Sequence, residues 1–504
     1  MKKKLFFSIL FGLLIVLSNA QNKNLSKLQI RQDLEFLGQI LNNKSSYAYL
    51  NGYNFNKDFE SYQRVLNNET KLQDFGLFLA QTLGKIGDRH ASVKDYEIRD
   101  SLFLPFIYAP EGHKVLVLNR NTDKKLELLH SKFPYLKKVG EIPIDNFLQK
   151  ILPEELTAPR QTYFTRAVRK LRDIQKIYNV LDKTLPSEIK LTLSDSSFKN
   201  DTVLVVSPIG RTKRSSYWDD EFERKYILFK DEDYNKEENL RQLFDIKDQI
   251  GYVHIPSMVS RDDAPLLFEK INSFMNSIQK DSKALIVDVR SNGGGTRDII
   301  YEFSKYFVHP DSVYVVNATK QRAQIPLSKE DIESLHSRSL FSFSELDKNE
   351  QKSVQYFLKG FKPMYELDYK KYSDYYFGVL NGKKIANKSL YYNKPIYILA
   401  NEKSFSAASV FVAAFKNIPN IRVVGITTDG SSGNSDRFEL PNSQLRIKIS
   451  TMVSFQKDGK ILDGLGTEPD IRIERDFNQI LYKSDTQLEN LRNLILNENE
   501  KANL

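Results

Sequence analysis

Two short loops in the C-terminal half carry residue types that acyl-transfer chemistry uses. Residues 291–295 read SNGGG and residues 401–406 read NEKSFS; each loop follows an apolar run and precedes a helical pattern. Ser406 begins the second helical pattern, so its hydroxyl and the amide of Ala407 face the positive end of a helix dipole. Serine is also a common helix cap, a role that Ser404 could fill instead. The position of Ser406 thus indicates either a nucleophile or a cap.

The glycines of the first loop could supply backbone hydrogen-bond donors next to Ser406. Residues 293–295 are all glycine, which permits backbone conformations closed to other residues and a close approach of substrate to the amides. Donors aimed at a developing oxyanion contribute about 2.7–4 kcal/mol each to acyl transfer. We predict that the amides of Gly294 and Ala407 form an oxyanion hole, although a glycine triplet is equally compatible with a simple tight turn.

A serine nucleophile needs a base, and the chain has six histidines. His90 lies in residues 88–93 (DRHASV), a predicted loop between a helical segment and an extended run, where functional residues concentrate. His254 alternates with apolar residues of a predicted strand, so we interpret it as structural. The chain has no His-Glu-x-x-His, Gly-x-Ser-x-Gly or P-loop motif. We therefore expect neither a metal nor an organic cofactor.

The elements around the two loops predict how they are positioned. Residues 284–290 and 395–400 are short, apolar and β-rich, and a helical pattern follows each after its loop. Such βα units build parallel sheets, and ligands bind beyond the carboxyl ends of the strands. We predict an α/β core that brings both loops to one edge of its sheet.

Composition and texture divide the 504 residues further. We predict a signal peptide at 1–20 and a helical domain at 21–98. A small β-rich domain with one or two helices follows at 99–206, and a charged linker at 207–247. The core spans 248–475 and includes a polar, mostly helical insertion at 318–390. Residues 476–504 form a C-terminal helix and tail.

The first twenty residues indicate export. Three lysines precede an apolar run at 5–17, and residues 18–20 (SNA) resemble a cleavage site after Ala20. The alternative is a membrane anchor, but the run is shorter than the roughly 20 residues that span a bilayer. We predict a periplasmic or secreted, bacterial protein without a membrane span after cleavage. Zero cysteines exclude disulfides and a thiol nucleophile, and the interspersed charges of net +10 indicate a solvated surface rather than nucleic-acid binding.

Together these segments resemble the tail-specific, or C-terminal-processing, proteases of peptidase family S41. Residues 288–295 (DVRSNGGG) are similar to the family's Asp-Leu-Arg-x-Asn-x-Gly-Gly element, and residues 404–409 (SFSAAS) to its nucleophile segment, which places the catalytic serine at Ser406. Residues 251–256, 423–425 and 464–470 resemble further family stretches in the same order. The resemblance implies a ClpP/crotonase-like core over about 250–475.

The base differs from that of the processing proteases. Their lysine position is occupied here by Ser431, which cannot act as a base, so the Ser–Lys dyad is absent. A second branch, which includes tricorn protease, uses a histidine from an N-terminal helical region, and this branch resembles the chain at His90. Its supporting acid corresponds to Asp463, in contact with His90 directly or through water. Arg89 stands where that branch has an intervening serine.

The resemblance implies an exported serine endopeptidase or carboxypeptidase-like enzyme that acts on proteins or peptides. In this interpretation Ser406 is the nucleophile, His90 the base and Asp463 its partner. The alternative, motivated by Ser431 and Arg89, is a catalytically silent peptide- or ligand-binding protein with the same fold. Family members often carry a PDZ-like domain where residues 99–206 lie; residues 138–145 resemble a PDZ strand pair, whereas the helical stretch at 153–182 fits that fold poorly. The sequence does not fix the oligomeric state.

Overall fold

The computed structural model describes residues 23–96, 102–123, 125–149, 151–152, 158–214, 233–385, 390–432 and 434–502. The predicted signal segment, 1–20, lies outside these residues. No helix within the described residues combines the length and the apolar character needed to cross a membrane.

The N-terminal region is a helical unit with its own apolar core. Its elements are β1 Asn24–Ser26, α1 Lys27–Lys44, α2 Phe55–Val65, β2 Glu69–Lys71, α3 Leu72–Ile86 and β3 Ser92–Lys94. A capping box at Ser26 starts α1. The third helix ends at Gly87, whose φ of 90° is left-handed and suits glycine. This stop turns the chain abruptly into the loop that carries His90.

A β-rich unit follows. Its strands form a seven-stranded antiparallel arrangement, and its helices pack on that sheet: β4 Ile107–Glu111, β5 Lys114–Arg120, β6 Leu126–Leu128, β7 Tyr135–Val139, β8 Ile142–Pro143, α4 Ile144–Leu148, α5 Arg160–Lys170, α6 Ile174–Val180, β9 Ile189–Ser194 and β10 Asp201–Val206. The alternation of buried and exposed residues in β9 matches a sheet with one face on the core.

The core contains a six-stranded sheet in the order β11-β12-β13-β17-β18-β22. Its elements are α7 Arg211–Arg214, α8 Glu237–Leu240, β11 Phe244–Lys247, β12 Ile250–His254, α9 Pro265–Ile278, β13 Ala284–Asp288, α10 Asp298–Phe307, β17 Ile396–Ala400, α14 Ala407–Phe415, β18 Ile421–Gly425 and β22 Ile471–Arg472. Strands β12, β13, β17, β18 and β22 are parallel. Two of them, β13 and β17, are the strands predicted to carry the glycine and serine loops.

Two details differ from the sequence-based prediction. The end of the predicted linker, β11, pairs antiparallel with β12 and forms an edge of the core sheet; its alternation is hidden among charged residues. The insertion predicted at 318–390 is not mostly helical: it contributes to a four-stranded sheet as well as helices. These elements are β14 Val313–Gln321, α11 Lys329–His336, β15 Leu340–Ser342, α12 Lys348–Gly360, β16 Tyr376–Asn381, α13 Gly382–Ile385 and β21 Met452–Phe455.

A small sheet joins the N-terminal unit to the core. Strand β3 pairs with β20 Arg446–Ser450, which also pairs with β19 Ser435–Glu439. Because β3 begins two residues after His90, this pairing holds the His90 loop against the core. The chain ends in α15 Phe477–Ile480 and α16 Thr486–Ala502, and Leu491 and Ile495 of α16 pack on one face of the core sheet.

Candidate active site

Ser406 lies on a strained turn between a strand and a helix. It follows the loop after β17 and immediately precedes α14, with φ 53° and ψ −124°, a conformation that non-glycine residues rarely adopt. Its side chain makes no capping hydrogen bond. The alternative cap, Ser404, instead donates its hydroxyl to the carbonyl of Val289, 2.8 Å away. Such a turn presents the hydroxyl to the crevice at a helix N-terminus, as nucleophile elbows do.

The glycine loop lies directly beside this turn. A Cβ atom added to Gly294 would lie 2.6 Å from the Ser406 Cβ and 3.0 Å from the Ala407 nitrogen. Only a residue without a side chain fits there, which explains the glycine. The structure thus brings together Gly294, Ala407 and Ser406.

The two amides predicted to form the oxyanion hole differ in their hydrogen bonding. The Ala407 amide has no hydrogen-bond partner among the described residues and is available to an oxyanion. The Gly294 amide donates to Asn292 Oδ1 at 2.8 Å, and Asn292 in turn donates to the Ile255 carbonyl. The Gly294 amide is thus engaged within its own loop, because the asparagine two residues earlier closes a local turn on it, and its predicted role in the oxyanion hole stays a prediction.

His90 enters the site from the N-terminal unit and is anchored by Asp88. The His90 amide donates to Asp88 Oδ1 at 2.8 Å, and the hydroxyl and amide of Ser450 donate to the same carboxylate. Burial raises the pKa of Asp88 above its usual value, against the opposing effect of these hydrogen bonds. The His90 ring lies 5.3 Å from the ring of Phe405, centroid to centroid, and so beside the nucleophile segment. Within the described residues no hydrogen bond joins His90 to Ser406.

The carboxylate of Asp463 lies next to the His90 ring. Its Oδ1 is 3.5 Å from His90 Nδ1, an ion-pair distance without hydrogen-bond geometry, and both side chains are buried. The hydroxyl of Ser432 donates to Asp463 Oδ2 at 2.5 Å, and the Ser432 amide to Oδ1 at 3.2 Å. Burial alone would raise the pKa of Asp463, but the neighbouring His90 and the hydrogen bonds from Ser432 outweigh it and lower that pKa. Asp463 is therefore an anion at neutral pH.

Arg89, which stands at the position of the intervening serine, pairs with a different carboxylate from the one next to His90. Its guanidinium pairs with buried Asp429 at 2.9 Å, and Arg166 of α5 reaches the same carboxylate oxygen at 2.7 Å. Both guanidinium groups lie within 6 Å of the Phe405 ring. This cluster fixes the residue before the nucleophile and ties it to the β-rich unit.

The segment that contains Ser431, at the position of the family lysine, supports the site through hydrogen bonds and an ion pair. Ser431 accepts a hydrogen bond of 2.7 Å from the Ser406 amide and is completely buried. Neighbouring Asp429 and Ser432 contact Arg89 and Asp463, as described above. The sequence analysis treated this stretch only as lacking a lysine and missed all three roles. The available signal was a run of short polar residues, 427–432 (TTDGSS), directly after an apolar strand.

Comparison with known proteins supports the predicted resemblance of the core to family S41. Residues 249–473 match the family described as Peptidase family S41. An uncharacterized protein of Chlamydia muridarum is 34% identical over 95 residues, and a protein of Chlamydia trachomatis is 32% identical over the same length. Each alignment covers 18% of this chain and 16% of the relative, so the chain spans only a small part of those proteins.

The fold is similar to that of solved structures over nearly the whole chain. The crystal structure of mature CPAF superposes with a TM-score of 0.62 at 17% identity, covering 93% of this chain and 98% of that one. Mature CPAF complexed with lactacystin gives a TM-score of 0.60 at 16% identity with the same coverage. These likenesses confirm the predicted α/β protease fold. Residues 249–473 thus match the serine-peptidase family S41 and lie within a fold similar to that of mature CPAF.

Proposed function

We propose that the protein hydrolyses peptide bonds of proteins or peptides with Ser406 as nucleophile, His90 as general base and Asp463 as the anion that orients His90. One observation carries the proposal: Ser406 lies on a strained strand-to-helix turn next to Phe405, whose ring contacts that of His90, and the His90 Nδ1 lies 3.5 Å from the buried carboxylate of Asp463. This order of nucleophile, base and orienting acid is what serine hydrolysis requires.

The proposed reaction has two halves. Ser406 Oγ attacks the scissile carbonyl carbon while its proton passes to His90; the C–N bond then breaks and His90 protonates the leaving amine. In the second half His90 takes a proton from water, which attacks the acyl-enzyme, and returns it to Ser406. The negative charge of Asp463 stabilises the protonated imidazole in both halves. The Ala407 amide binds the oxyanion, and a second donor requires the Gly294 amide to exchange Asn292 for the substrate oxygen.

The histidine and the serine belong to different parts of the chain, which makes their approach adjustable. His90 is held by β3 and Asp88, whereas Ser406 belongs to the core helix α14. We infer that substrate binding closes the remaining gap between the His90 ring and the Ser406 hydroxyl, as catalytic hydrogen bonds commonly tighten only in the substrate complex.

Hydrolysis of an unstructured protein such as casein by residues 21–504 tests the proposal. Residues 21–504 are expected to cut, whereas Ser406→Ala remains folded and does not. A fluorophosphonate probe should label Ser406 covalently in the active chain. Failure of both cleavage and labelling, on casein and on a broad peptide panel, would overturn the proposal.

The second candidate, a silent peptide-binding protein, is favoured by one observation: the Gly294 amide is occupied by Asn292. If that bond persists when ligand binds, the oxyanion hole has one donor and turnover is lost. Binding of a peptide without cleavage or fluorophosphonate labelling would identify this function.

Export through residues 1–20 is part of the same proposal and is supported by the lysine, apolar and small-residue order of that segment. Cell fractionation with an antibody against the chain, together with N-terminal sequencing of the mature protein, tests it. A mature N-terminus at Gln21 in the exported fraction is expected.

A further inference from the structure

A small cavity lies where helices α10 and α14 of the core meet strands β14 and β16 of the four-stranded sheet. Its volume is about 30 Å³, enough for one or two groups the size of a water molecule, since one such group needs about 10–15 Å³. Its walls are mostly apolar and include Ile300, Val410 and Leu462, whereas Arg297 and Arg338 supply positive charge. Among the described residues, no aspartate or glutamate lines this cavity.

The two guanidinium groups have only neutral partners in the part of the chain that the structure describes. Arg297 Nη1 donates to the carbonyl oxygen of Arg338 at 2.8 Å. Arg338 in turn donates to oxygen atoms of Ser334 and Ser337, and to Asn434 Oδ1 at 2.6 Å. The two positive charges are therefore held close together without a counter-charge.

The pKa of each arginine reflects this lack of a counter-charge. Both side chains are partly buried. Burial lowers the pKa of Arg297 to about 10, and the charge of Arg338 acts in the same direction against the opposing effect of Tyr301. Burial also lowers the pKa of Arg338. Asp298, next to Arg297 in the chain, accepts a hydrogen bond from the Arg261 amide and does not line the cavity. Two uncompensated cations between apolar walls favour a bound anion.

Three walls of the cavity continue directly into the candidate active site. Val410 lies one turn of α14 after Ser406, and its amide donates to the Ser406 carbonyl at 3.1 Å. Leu462 directly precedes Asp463, and Arg297 follows the last residue of the glycine loop by two positions. One helical turn rises about 5.4 Å, a depth that the side chain of a residue bound beside Ser406 can reach.

We propose that Arg297 and Arg338 bind the carboxylate of an acidic substrate side chain, glutamate or aspartate, close to the peptide bond that is cut. This inference rests on the proposed peptidase function and adds a substrate class to it, peptides with an acidic residue beside the cleavage site. A carboxylate presents two oxygens to guanidinium N–H groups, and two oxygens match the volume of the cavity. A phosphoryl group carries three and exceeds it.

Binding is measured on residues 21–504 with Ser406→Ala, so that the result does not depend on turnover. The probe is a ten-residue peptide of alanine, serine and leucine with one central glutamate, labelled with fluorescein at its N-terminus and amidated at its C-terminus. Fluorescence anisotropy gives its Kd. One twin has glutamine in place of glutamate. A second twin has glutamine and a free C-terminal carboxylate, which distinguishes a side-chain carboxylate from a terminal one.

Three variants, each combined with Ser406→Ala, locate the binding site. Arg297→Gln removes one of the two cations, and Arg297→Lys retains the charge. Arg437→Gln is the matched control for net charge, because Arg437 is exposed on β19 and does not line the cavity. Arg297→Gln should melt no lower than this control, because it removes a charge without a counter-ion and the Arg338 carbonyl keeps its hydrogen bond from Tyr301.

The glutamate peptide is expected to bind about tenfold or more tightly than its glutamine twin, a preference that Arg297→Gln abolishes and that Arg297→Lys and Arg437→Gln retain. No binding, equal binding of the two peptides, or an unchanged preference in Arg297→Gln would overturn the proposal. Tighter binding of the twin with the free carboxylate than of the glutamate peptide would overturn it in favour of a C-terminal carboxylate. Equal binding of both peptides, with a melting temperature that rises in sodium chloride only while Arg297 is present, would assign the cavity to a small inorganic anion.

Cleavage of the same peptides by the chain with Ser406 intact separates this inference from the proposed function. The glutamine twin is expected to show a kcat/KM about tenfold or more below that of the glutamate peptide. Selective binding of the glutamate peptide without cleavage of any peptide would retain the carboxylate site and reject the peptidase. Cleavage of both peptides with equal kcat/KM would retain the peptidase and reject the carboxylate site.

Discussion

The molecule contains two buried histidine–aspartate pairs that look alike in isolation. His90 Nδ1 lies 3.5 Å from Asp463, and His254 Nδ1 lies 3.7 Å from Asp288; all four side chains are buried. Their surroundings differ. Asp288 accepts hydrogen bonds from the Arg290 guanidinium at 2.7–3.2 Å and from the Tyr252 hydroxyl at 2.9 Å. Asp463 accepts hydrogen bonds from the hydroxyl and amide of Ser432, and no guanidinium pairs with it within the described residues. Burial and the nearby Asp463 charge raise the pKa of the Tyr47 hydroxyl.

This difference distinguishes the pair that we interpret as structural, His254 with Asp288, from the pair that we propose to be catalytic, His90 with Asp463. A carboxylate already paired with a guanidinium has its charge compensated, so it adds little stabilisation to a neighbouring imidazolium. A carboxylate whose other partners are neutral donors keeps its charge for the histidine. Arg290 also reaches Asp485 at 2.6 Å and so ties the core sheet to the C-terminal segment. Proximity of a histidine and an aspartate is therefore insufficient evidence of catalysis. The other groups that bind the carboxylate determine whether its charge is available to the histidine.

Replacing each histidine by alanine should give the largest difference in activity between the two pairs. His90→Ala should lower kcat/KM by about 10⁴-fold or more, because the serine loses its base. His254→Ala should leave kcat/KM of the folded enzyme unchanged and cost about 1–3 kcal/mol of unfolding free energy, through the space it leaves. Peptide hydrolysis and urea unfolding of both variants measure this. A loss of activity in folded His254→Ala as large as in His90→Ala would break the comparison.

The next effect concerns stability at Asp288. Burial alone raises the pKa of Asp288, but the Arg290 charge and the nearby His254 reverse this and hold the pKa far below its usual value. Asp288→Asn should cost about 3–5 kcal/mol of unfolding free energy at neutral pH, because Arg290 is left buried with a weaker partner.

The pH dependence of that loss is a sharper test. A lowered folded pKa means that ionised Asp288 stabilises the fold above its unfolded pKa of about 3.9, and that this stabilisation is lost as pH falls towards the folded value. The difference in unfolding free energy between the wild-type chain and Asp288→Asn should therefore be largest near pH 7 and shrink below about pH 4. A difference that stays constant from pH 7 to pH 3 would contradict the assigned charge pair.

Asp463→Asn should lower kcat by about 10²–10³-fold with little change in KM. The amide is neutral and its nitrogen can face His90, so the imidazolium loses its counter-charge and its orientation. We expect a smaller effect than for His90→Ala, because the His90–Asp463 contact is long. Asp463→Glu, which keeps the charge, is the matched variant and should retain more activity than Asp463→Asn. Equal activity of the two would mean that charge at this position is unimportant.

Only part of the fold and of the candidate site could be predicted from the sequence. The βα repeats at 284–307 and 395–415 predicted the core sheet because short apolar runs followed by small-residue loops have few other solutions. Ser406 and His90 stood out by their positions and received their roles, with Asp463, from the resemblance. In the structure His90 lies next to Asp463 and Phe405, and the catalytic roles of the three residues stay predictions. The asparagine bond on Gly294 could not be predicted, since it depends on the rotamer of one side chain. The Asp429 cluster could not be predicted either, because it joins three segments that lie far apart in the chain.

The smallest expected effect concerns Ser431, which stands at the family lysine position. Its hydroxyl oxygen accepts the Ser406 amide, and this bond holds a residue whose positive φ is otherwise unfavourable. Ser431→Ala leaves that partly buried amide without its acceptor and should lower kcat about five- to tenfold, equivalent to about 1–1.4 kcal/mol, with KM nearly unchanged.

Ser304→Ala is the matched control for this change. Ser304 is also completely buried, and its hydroxyl donates to the Ile300 carbonyl within α10 at 2.7 Å, away from the nucleophile turn. Both variants should lose comparable unfolding free energy, whereas only Ser431→Ala should lose kcat. If the two variants change kcat equally, Ser431 supports the fold in general and not the geometry of Ser406. If only Ser431→Ala lowers kcat, the residue at the position of the family lysine holds the nucleophile turn in its active geometry.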